Sequence, residues 1–523
     1  MKRRTRIIAL FLLAGLLTGL VGCGRQQEGF AFSAAVVGHP ASFDPALAAS
    51  EGEELAAVHL YENLLRLQTG ENGPEIVGGM ARDWERRENA DGTETYTFHL
   101  RTGVKWSDGR AVQAGDFVYA WQHLAAESTG ALHGNLLDMV AGYEGARAGD
   151  PDALQVFARD KTTLEVVLQR RCPYFLRVVC TAAATMPRRA DLPGSSALVS
   201  NGPYAWGGYT GGVLTLTASE NYYDRRRLGS DTITIRYCDT AEQAAALLEN
   251  GEVDFACNLD RERDGWRLVP SPEVTLLIVN EMAQQLESRP LRQALSLAID
   301  RAGLAELAKP AIRTPAAGLV PDGVITSGGG AFRREESLCI DNSDYEKSCE
   351  QARELLEKEG ITGGVKDLTV LCADTESDVA AAEAICAAWR EQLGLTASVV
   401  PASPAELAES LSRGTFRTAL IHFSGDRNDA EAFLDIWQSG RAENKALFHD
   451  NAYDILLRMA ASTSSVEARD AYLTDAERLL LEQGNVMPLY FTGHAWQMRS
   501  GLTGLFSDGL GGFSFRGVRP AAD

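Results

Sequence analysis

TALIHFSGDRNDAEAFL, residues Thr418–Leu434, is the stretch that decides the fold. Its first six residues, Thr418–Phe423, form an apolar run that is typical of a buried strand. Ser424–Asp426 then interrupts this run with residues that favour a turn. Glu431–Trp437 resumes with helical spacing. The stretch therefore predicts a strand, a turn and a helix in succession.

The segment before this stretch repeats the same signals. Leu368–Cys372 alternates like a strand, and Ile385–Leu393 carries apolar residues four apart on a helix that ends at Gly394. Thr396–Val400 reads as a second strand. Ser403–Glu406 combines an N-cap, a proline at the first helical position and a capping-box glutamate. The β-α-β-α-β pattern predicts a parallel sheet with right-handed connections.

Asp426 is the first candidate for a ligand contact. Ligands of parallel sheets bind just beyond the carboxyl ends of the strands, and Asp426 follows the predicted strand Thr418–Phe423. An aspartate in a turn rich in Gly and Asn is also typical of a solvated turn residue. Both interpretations stay open at this point.

The N-terminus carries a processing signal. A cationic segment, Lys2–Arg6, precedes the apolar run Ile7–Leu20, as in a signal peptide. Leu20–Cys23 resembles the lipobox of bacterial lipoproteins, which are cleaved before the cysteine and carry a lipid on its thiol. A plain secretory signal and a membrane anchor are the alternatives, although the run is short for a span of about 20 residues. We predict a signal peptide over 1–22, lipidation at Cys23, and a polar tether over 23–29.

Composition narrows the choice of partners. The chain has 523 residues, 45% of them hydrophobic and 23% charged, with a formal net charge of −21. A surface this acidic argues against binding nucleic acid or anionic lipid. No segment after the N-terminal run is long and apolar enough to predict a membrane span.

Neither the cysteines nor the known motifs indicate a metal site or an enzyme. Besides Cys23 there are eight cysteines, none of them in a C-x-x-C pair; an exported protein permits disulfides, but Cys372 and Cys386 fall on predicted core faces and read as free thiols. The zincin, nucleophile-elbow and phosphate-loop motifs are absent from the sequence. We therefore predict no enzymatic activity, no cofactor and no metal. A secreted two-lobed hydrolase remains a remote alternative, because sequence does not reveal a spatial pair of carboxylates.

Many short motifs occur in a familiar order after residue 30. Taken singly, they have ordinary structural interpretations: Trp106 and Trp121 read as core packing, and Ser107–Gly109 as a tight turn. Together they resemble the signature of extracellular solute-binding proteins of the peptide/nickel class, family 5, which are receptor subunits of ABC importers for oligopeptides and dipeptides. The motifs are Phe43–Pro45, Tyr61–Leu64, Trp84, Tyr96–Arg101, Val104–Gly109, Ala114–Trp121, Asn201–Tyr204, Asn221–Tyr223, Gly251–Asp254, Pro290–Leu295, Ala298–Arg301 and Met487–Tyr490.

The resemblance implies a fold and a mechanism. The fold would be α/β, with two lobes that are joined by a hinge and an extra α/β subdomain on the N-terminal lobe. Residues 30–75, 200–282 and 497–523 would form the N-terminal lobe, 76–199 the inserted subdomain, and 283–496 the second lobe. Ligand would contact both lobes only in the closed state, so binding would shift the population toward closure. The protein would be a monomer on the outer face of the bacterial cell membrane, delivering peptides to the membrane subunits of an importer.

The resemblance also implies a ligand site. Asp426 stands where oligopeptide receptors hold the α-ammonium group, and Asn428 matches a family asparagine. Phe423 replaces a frequent tryptophan, while Ser424 and Gly425 would offer backbone groups to the peptide. Tyr490, from the last motif, completes the predicted ligand contacts.

Two departures from the family pattern leave more than one class of ligand possible. Leu420 stands in place of an arginine, and His422 in place of a glycine. Nickel-chelate, haem and oligosaccharide ligands therefore remain alternatives to peptides, with His422 as the candidate contact to a metal chelate.

Overall fold

Strands and helices alternate along the whole described chain. The structure is a computed structural model that describes residues 29–70, 73–192, 198–307, 311–326, 330–334, 337–361, 365, 368–425, 427–463 and 465–522. The α-helices in these ranges are α1 Glu51–Leu60, α2 Ala114–Ala125, α3 Tyr143–Arg147, α4 Phe175–Thr181, α5 Ala241–Glu249, α6 Arg289–Leu297, α7 Arg301–Leu307, α8 Tyr345–Lys358, α9 Glu376–Leu393, α10 Pro404–Arg413, α11 Glu431–Leu434, α12 Asn451–Ser462 and α13 Val466–Gln483. The strands are β1 Ala31–Val37, β2 Leu65–Gly70, β3 Gly73–Gly78, β4 Ala81–Glu88, β5 Glu94–Leu100, β6 Val156–Ala158, β7 Thr163–Leu168, β8 Tyr204–Thr210, β9 Val213–Ala218, β10 Thr232–Cys238, β11 Phe255–Leu259, β12 Arg267–Val279, β13 Arg313–Pro315, β14 Leu368–Ala373, β15 Ala397–Ala402, β16 Thr418–Ser424, β17 Val486–Met498, β18 Leu502–Thr503, β19 Phe506–Ser507, β20 Phe513–Ser514 and β21 Arg519–Pro520.

One mixed sheet of eleven strands runs through both lobes. Its order is β15-β14-β16-β12-β17-β11-β1-β10-β9-β8, and β13 pairs with β17. At the N-terminal-lobe end, β1 is parallel to β10 and β11. At the other end, β14 is parallel to β15 and β16. The predicted α/β class is confirmed. Parallel pairing occurs in two groups of three strands, one in each lobe, and at the N-terminal-lobe end the antiparallel strands β9 and β8 lie outside the parallel group.

The segment around Thr418 folds as its sequence pattern predicts. β14, α9, β15, α10 and β16 follow one another, and β14 lies between the other two strands. Helix α9 ends at Gly394, whose φ of 66° suits glycine. Helix α10 begins with the capping box of Ser403 and Glu406. The loop after β16 consequently lies at the carboxyl edge of the parallel strands.

The inserted subdomain has its own four-stranded sheet, in the order β4-β5-β7-β6. Trp106 and Trp121 are fully buried, as predicted from sequence. Trp121 meets Phe175 edge-on at 6.3 Å between ring centroids. The buried side chains of this subdomain belong to the same apolar cluster as Phe32 and Leu60 of the N-terminal lobe. The subdomain is therefore packed against that lobe through a continuous core.

Two long antiparallel strands connect the lobes. β12 and β17 have 13 residues each and pair along most of their length. Near its end, β17 pairs with β11 of the N-terminal lobe, whereas β12 pairs with β16 of the second lobe from Glu273 onward. The register between β12 and β17 shifts between Pro270 and Val274. The neighbouring strands therefore change from those of the N-terminal lobe to those of the second lobe near Pro270. The predicted boundary between the lobes, at residues 282 and 283, lies further along β12 and beyond its end.

Eight cysteines lie within the described ranges, and all of them are free thiols. Cys372 and Cys386 are buried in the core of the second lobe, as predicted. Cys23 lies outside the described residues. None of the described helices has the length and apolar character needed to span a bilayer.

Candidate functional site

A cavity of about 580 Å³ lies between the two lobes. The second lobe contributes the end of β16 and the loop behind it, and the N-terminal lobe contributes one face of α1. The inserted subdomain contributes Leu132, which is 66% exposed, and the end of α4. Main lining residues from the three regions are Ser424, Gly425, Arg427 and Asn428; Glu51, Glu54, Leu55 and Val58; and Leu132, His133, Leu136 and Thr181.

The loop after β16 brings part of the predicted site together. Ser424 is exposed and pairs in register with Glu273 of β12. The Gly425 N–H donates to the Pro272 carbonyl at 3.0 Å. Gly425 therefore has only its carbonyl to offer a ligand. A Cβ atom at this position would lie 2.4 Å from the Phe433 ring, so glycine permits the close approach of the loop to α11.

Asn428 lines the cavity but is bound mainly to protein. Its Oδ1 accepts a hydrogen bond from the Ile325 N–H at 2.9 Å, and its backbone carbonyl accepts one from Arg177 at 2.7 Å. The side chain thus fixes the 323–326 segment beside the cavity. Asp426, the central residue of the predicted site, lies outside the described residues; its neighbours Gly425 and Arg427 both line the cavity.

Phe423 and Tyr490 do not line the cavity in this structure. Phe423 packs edge-on against Phe433, with ring centroids 5.9 Å apart, at the margin of the second-lobe core. Tyr490 is fully buried, with the guanidinium of Arg313 4.3 Å from its ring centroid. Any ligand contact by these two side chains requires a rearrangement, so their predicted roles stay predictions.

His422 is held by protein groups on both ring nitrogens. Its Nε2 donates to the Asp378 carboxylate at 3.0 Å, and its Nδ1 lies 3.0 Å from the Thr275 hydroxyl. The hydrogen bond to Asp378 raises the pKa of His422 above its usual value, against the opposing effect of burial. Within the described ranges, no group of three or more metal-ligating side chains is present.

The pKa values of two adjacent glutamates on α1 are shifted in opposite directions. Glu53 is buried, and its carboxylate accepts backbone hydrogen bonds from Ala41, Ser42, Ala49 and Ser50. Burial opposes its ionisation, but these hydrogen bonds lower the pKa of Glu53. Glu54 lines the cavity. Desolvation, followed by repulsion from Glu51, Asp508 and Glu53, raises the pKa of Glu54 to about 7.

His494 lies beside one of the cavity's carboxylates and offsets part of its negative charge. The Glu51 carboxylate lies 3.2 Å from Nδ1 of His494 on β17. Burial alone would lower the pKa of His494, but attraction to Glu51, Asp260 and Glu273 raises it. The ring is therefore more readily protonated than an ordinary histidine and offsets part of the negative charge in the cavity.

Arg177 joins the inserted subdomain to the second lobe. It is 7% exposed, and its guanidinium donates to the carbonyls of Ile325, Thr326 and Asn428 at 2.7–3.3 Å. The Asp429 carboxylate lies 3.8 Å away. One residue before Asn428, the guanidinium of Arg427 lies 4.0 Å from the ring centroid of Tyr174. These contacts bridge the lobes directly behind the cavity.

A buried ion cluster supports this contact from inside the second lobe. Arg469 of α13 donates to Asp429 at 2.8 Å and to Glu431 at 2.7 Å. Burial disfavours the charged carboxylate, but the attraction of Arg469 lowers the pKa of Asp429. Sequence reasoning missed Glu54, Arg177 and this cluster. For Glu54 a signal was available, because residues 51, 54, 55 and 58 lie on one face of a helix.

Comparisons with known proteins agree with this architecture. Residues 75–445 match the model of the bacterial extracellular solute-binding proteins, family 5. The periplasmic murein peptide-binding protein MppA of Escherichia coli is 29% identical over 476 residues, which is 86% of each chain. The dipeptide-binding protein DppE of Bacillus subtilis is 25% identical over 524 residues, which is 94% of each chain. The unliganded open form of MppA superposes with a TM-score of 0.80 at 24% identity, covering 94% of this chain and 98% of that one.

Proposed function

Because the chain belongs to the bacterial extracellular solute-binding proteins of family 5, we propose that it captures peptides between its lobes for an ABC importer. The observation that carries this proposal is the cavity of about 580 Å³, whose walls come from both lobes. A ligand that touches both walls favours the closed arrangement over the open one. The membrane subunits of the importer would then receive the peptide from the closed form.

In this proposal, the peptide main chain follows the end of β16. Ser424 is exposed there, and Gly425 has its carbonyl available. Backbone pairing of this kind provides affinity with little dependence on side chains. Asp426 would hold the N-terminal ammonium group, since both of its described neighbours line the cavity. A charge-assisted hydrogen bond in such a site is about twice as strong as a neutral one.

The decisive experiment is a four-way titration with wild type and Asp426→Asn, each with a free and an N-acetylated peptide. Removing one partner of a buried charge pair costs about 2–5 kcal/mol, so either single change should weaken binding at least about 30-fold. The two changes together should cost little more than one, because both remove the same interaction. Additive losses, or no loss, would contradict the role of Asp426.

We also propose that Cys23 carries the lipid that anchors the protein at the membrane. The support is the lipobox-like sequence Leu20–Cys23 after an apolar run. Cys23→Ala should move the protein from the membrane fraction to the soluble fraction of lysed cells. Cys339→Ala, which removes a different partly exposed thiol, should leave the distribution unchanged. Membrane retention of Cys23→Ala would contradict the proposed anchor.

A further inference from the structure

The described lining of the cavity has more acidic than basic side chains. Its carboxylates are Glu51, Glu54, Asp260, Glu273 and Asp508, whereas its guanidinium groups are only Arg313 and Arg427. Both guanidinium groups already have other partners. Arg313 donates to Ser377 at 2.7 Å and stacks on Tyr490, and Arg427 stacks on Tyr174. The negative charge of the cavity is therefore only partly balanced by the protein.

Within this group, Glu54 differs from its neighbours. Glu51 is paired with His494, and Asp508 accepts backbone hydrogen bonds from Leu510 and Gly512 at 2.8 and 2.9 Å. The Glu54 carboxylate has no hydrogen-bond or ion-pair partner among the residues that the structure describes. Repulsion from Glu51 and Asp508 raises its pKa beyond the effect of desolvation. A ligand cation at this position would relieve that repulsion.

The surface next to Glu54 is apolar. Val58 lies one turn further along the same face of α1, and the largely buried Leu55 also borders the cavity. Leu67 and the exposed Leu132 line the cavity as well. A carboxylate beside an aliphatic wall fits a side chain that has an aliphatic stem and a cationic end, as lysine and arginine do.

We propose that Glu54 receives the cationic end of a lysine or arginine side chain, so that the cavity selects basic peptides. This inference rests on the proposed function. It assigns Glu54 a cation different from the one assigned to Asp426: Glu54, on the N-terminal lobe, binds the peptide side chain, and Asp426, on the second lobe, binds the N-terminal ammonium group. Peptide charge thereby becomes a determinant of selection, in addition to backbone pairing.

The test uses tri-alanine and two sets of single substitutions, in which each alanine in turn is replaced by lysine or by glutamine. Affinities are measured by calorimetry for wild type, Glu54→Gln and Glu346→Gln. Glu346 is the control because it is also a glutamate in the first turn of a helix, but it does not line the cavity. A folded state is verified for each variant by its thermal transition.

Wild type should bind the lysine peptide at least about tenfold more tightly than the glutamine peptide at one or more positions, as expected for a charge-assisted hydrogen bond. Glu54→Gln should reduce this ratio to about one, and Glu346→Gln should retain it. Equal affinities for lysine and glutamine peptides in wild type, or an unchanged ratio in Glu54→Gln, would overturn the inference while leaving peptide binding intact. Failure of every peptide to bind wild type would overturn the proposed function and this inference together.

Discussion

His422 is a strand-end histidine whose hydrogen bonds are already used within the protein. A metal chelate bound at this ring would have to displace Asp378 or Thr275. Because the folded-state pKa of His422 is raised, its pair with Asp378 stabilises the fold fully below the ordinary histidine pKa. That stabilisation is lost as the pH rises through the raised value.

We expect His422→Gln to lower the free energy of unfolding at pH 6 by about 0.5–1 kcal/mol, because the pair is partly exposed. At pH 9 the ion pair should contribute almost nothing to the free energy of unfolding, so its removal by His422→Gln should have almost no effect. Urea unfolding of wild type, His422→Gln, Asp378→Asn and the double variant at both pH values isolates the pair. A coupling energy that does not change with pH would contradict this assignment.

The loop after β16 depends on its closeness to α11. A methyl group on Gly425 would meet the Phe433 ring at 2.4–3.0 Å. Gly425→Ala should therefore displace the ring or the loop and cost about 1–3 kcal/mol of stability. Peptide affinity should fall with it, because the displaced loop carries the proposed peptide contacts.

Gly115→Ala is the matched control for this substitution. Gly115 lies in the first turn of α2, and nothing is within 4 Å of the added Cβ atom. Alanine there should be neutral or stabilising by up to about 1 kcal/mol. Thermal unfolding and calorimetry with one peptide compare the two variants. Equal behaviour of Gly425→Ala and Gly115→Ala would show that the loop tolerates the added volume.

Arg177 couples the inserted subdomain to the second lobe. Its guanidinium donates to three carbonyls of the second lobe, and each such charged hydrogen bond contributes roughly 1.5–3 kcal/mol. Arg177→Met should weaken this contact and shift the ligand-free protein toward more open arrangements. Small-angle scattering should then give a larger radius of gyration, and peptide affinity should fall at least about tenfold.

Arg159→Met provides the control for the loss of one cation. Arg159 lies in the same subdomain, and its carboxylate partner, Glu165, is also in that subdomain. It should leave both the radius of gyration and the peptide affinity close to wild type. An unchanged radius and affinity in Arg177→Met would show that the lobes are held together by other contacts.

Local sequence rules predicted local structure well. The capping box at Ser403 and the glycine end at Gly394 are set by residues within one turn, and both are found as predicted. The resemblance to family 5, carried by motifs along the chain, led to the correct family.

Side-chain placement and long-range contacts could not be predicted in the same way. Tyr490 is buried because its ring lies in an apolar core of the second lobe that it shares with Leu291 and Leu295 of α6. Phe423 turns to the core because α11 places Phe433 against it. The contact between Arg177 and Asn428 joins residues 251 positions apart. Such neighbours are fixed by the assembled lobes, and no local spacing indicates them.

The paired strands β12 and β17 form a connection between the lobes that should twist more easily than it stretches. The ladder of hydrogen bonds along them resists stretching. At Pro270 and Gly493 they pair with each other but with neither β16 nor β11, and such a two-stranded segment accommodates a wide range of twist. The register of pairing shifts between Pro270 and Val274, and we expect the ribbon to twist most readily there. The lobes would then rotate relative to each other without sliding apart along the ribbon. The α1 wall and the β16 wall would consequently keep their height relative to each other as the cavity widens, and an arriving ligand would meet both walls in a constant alignment.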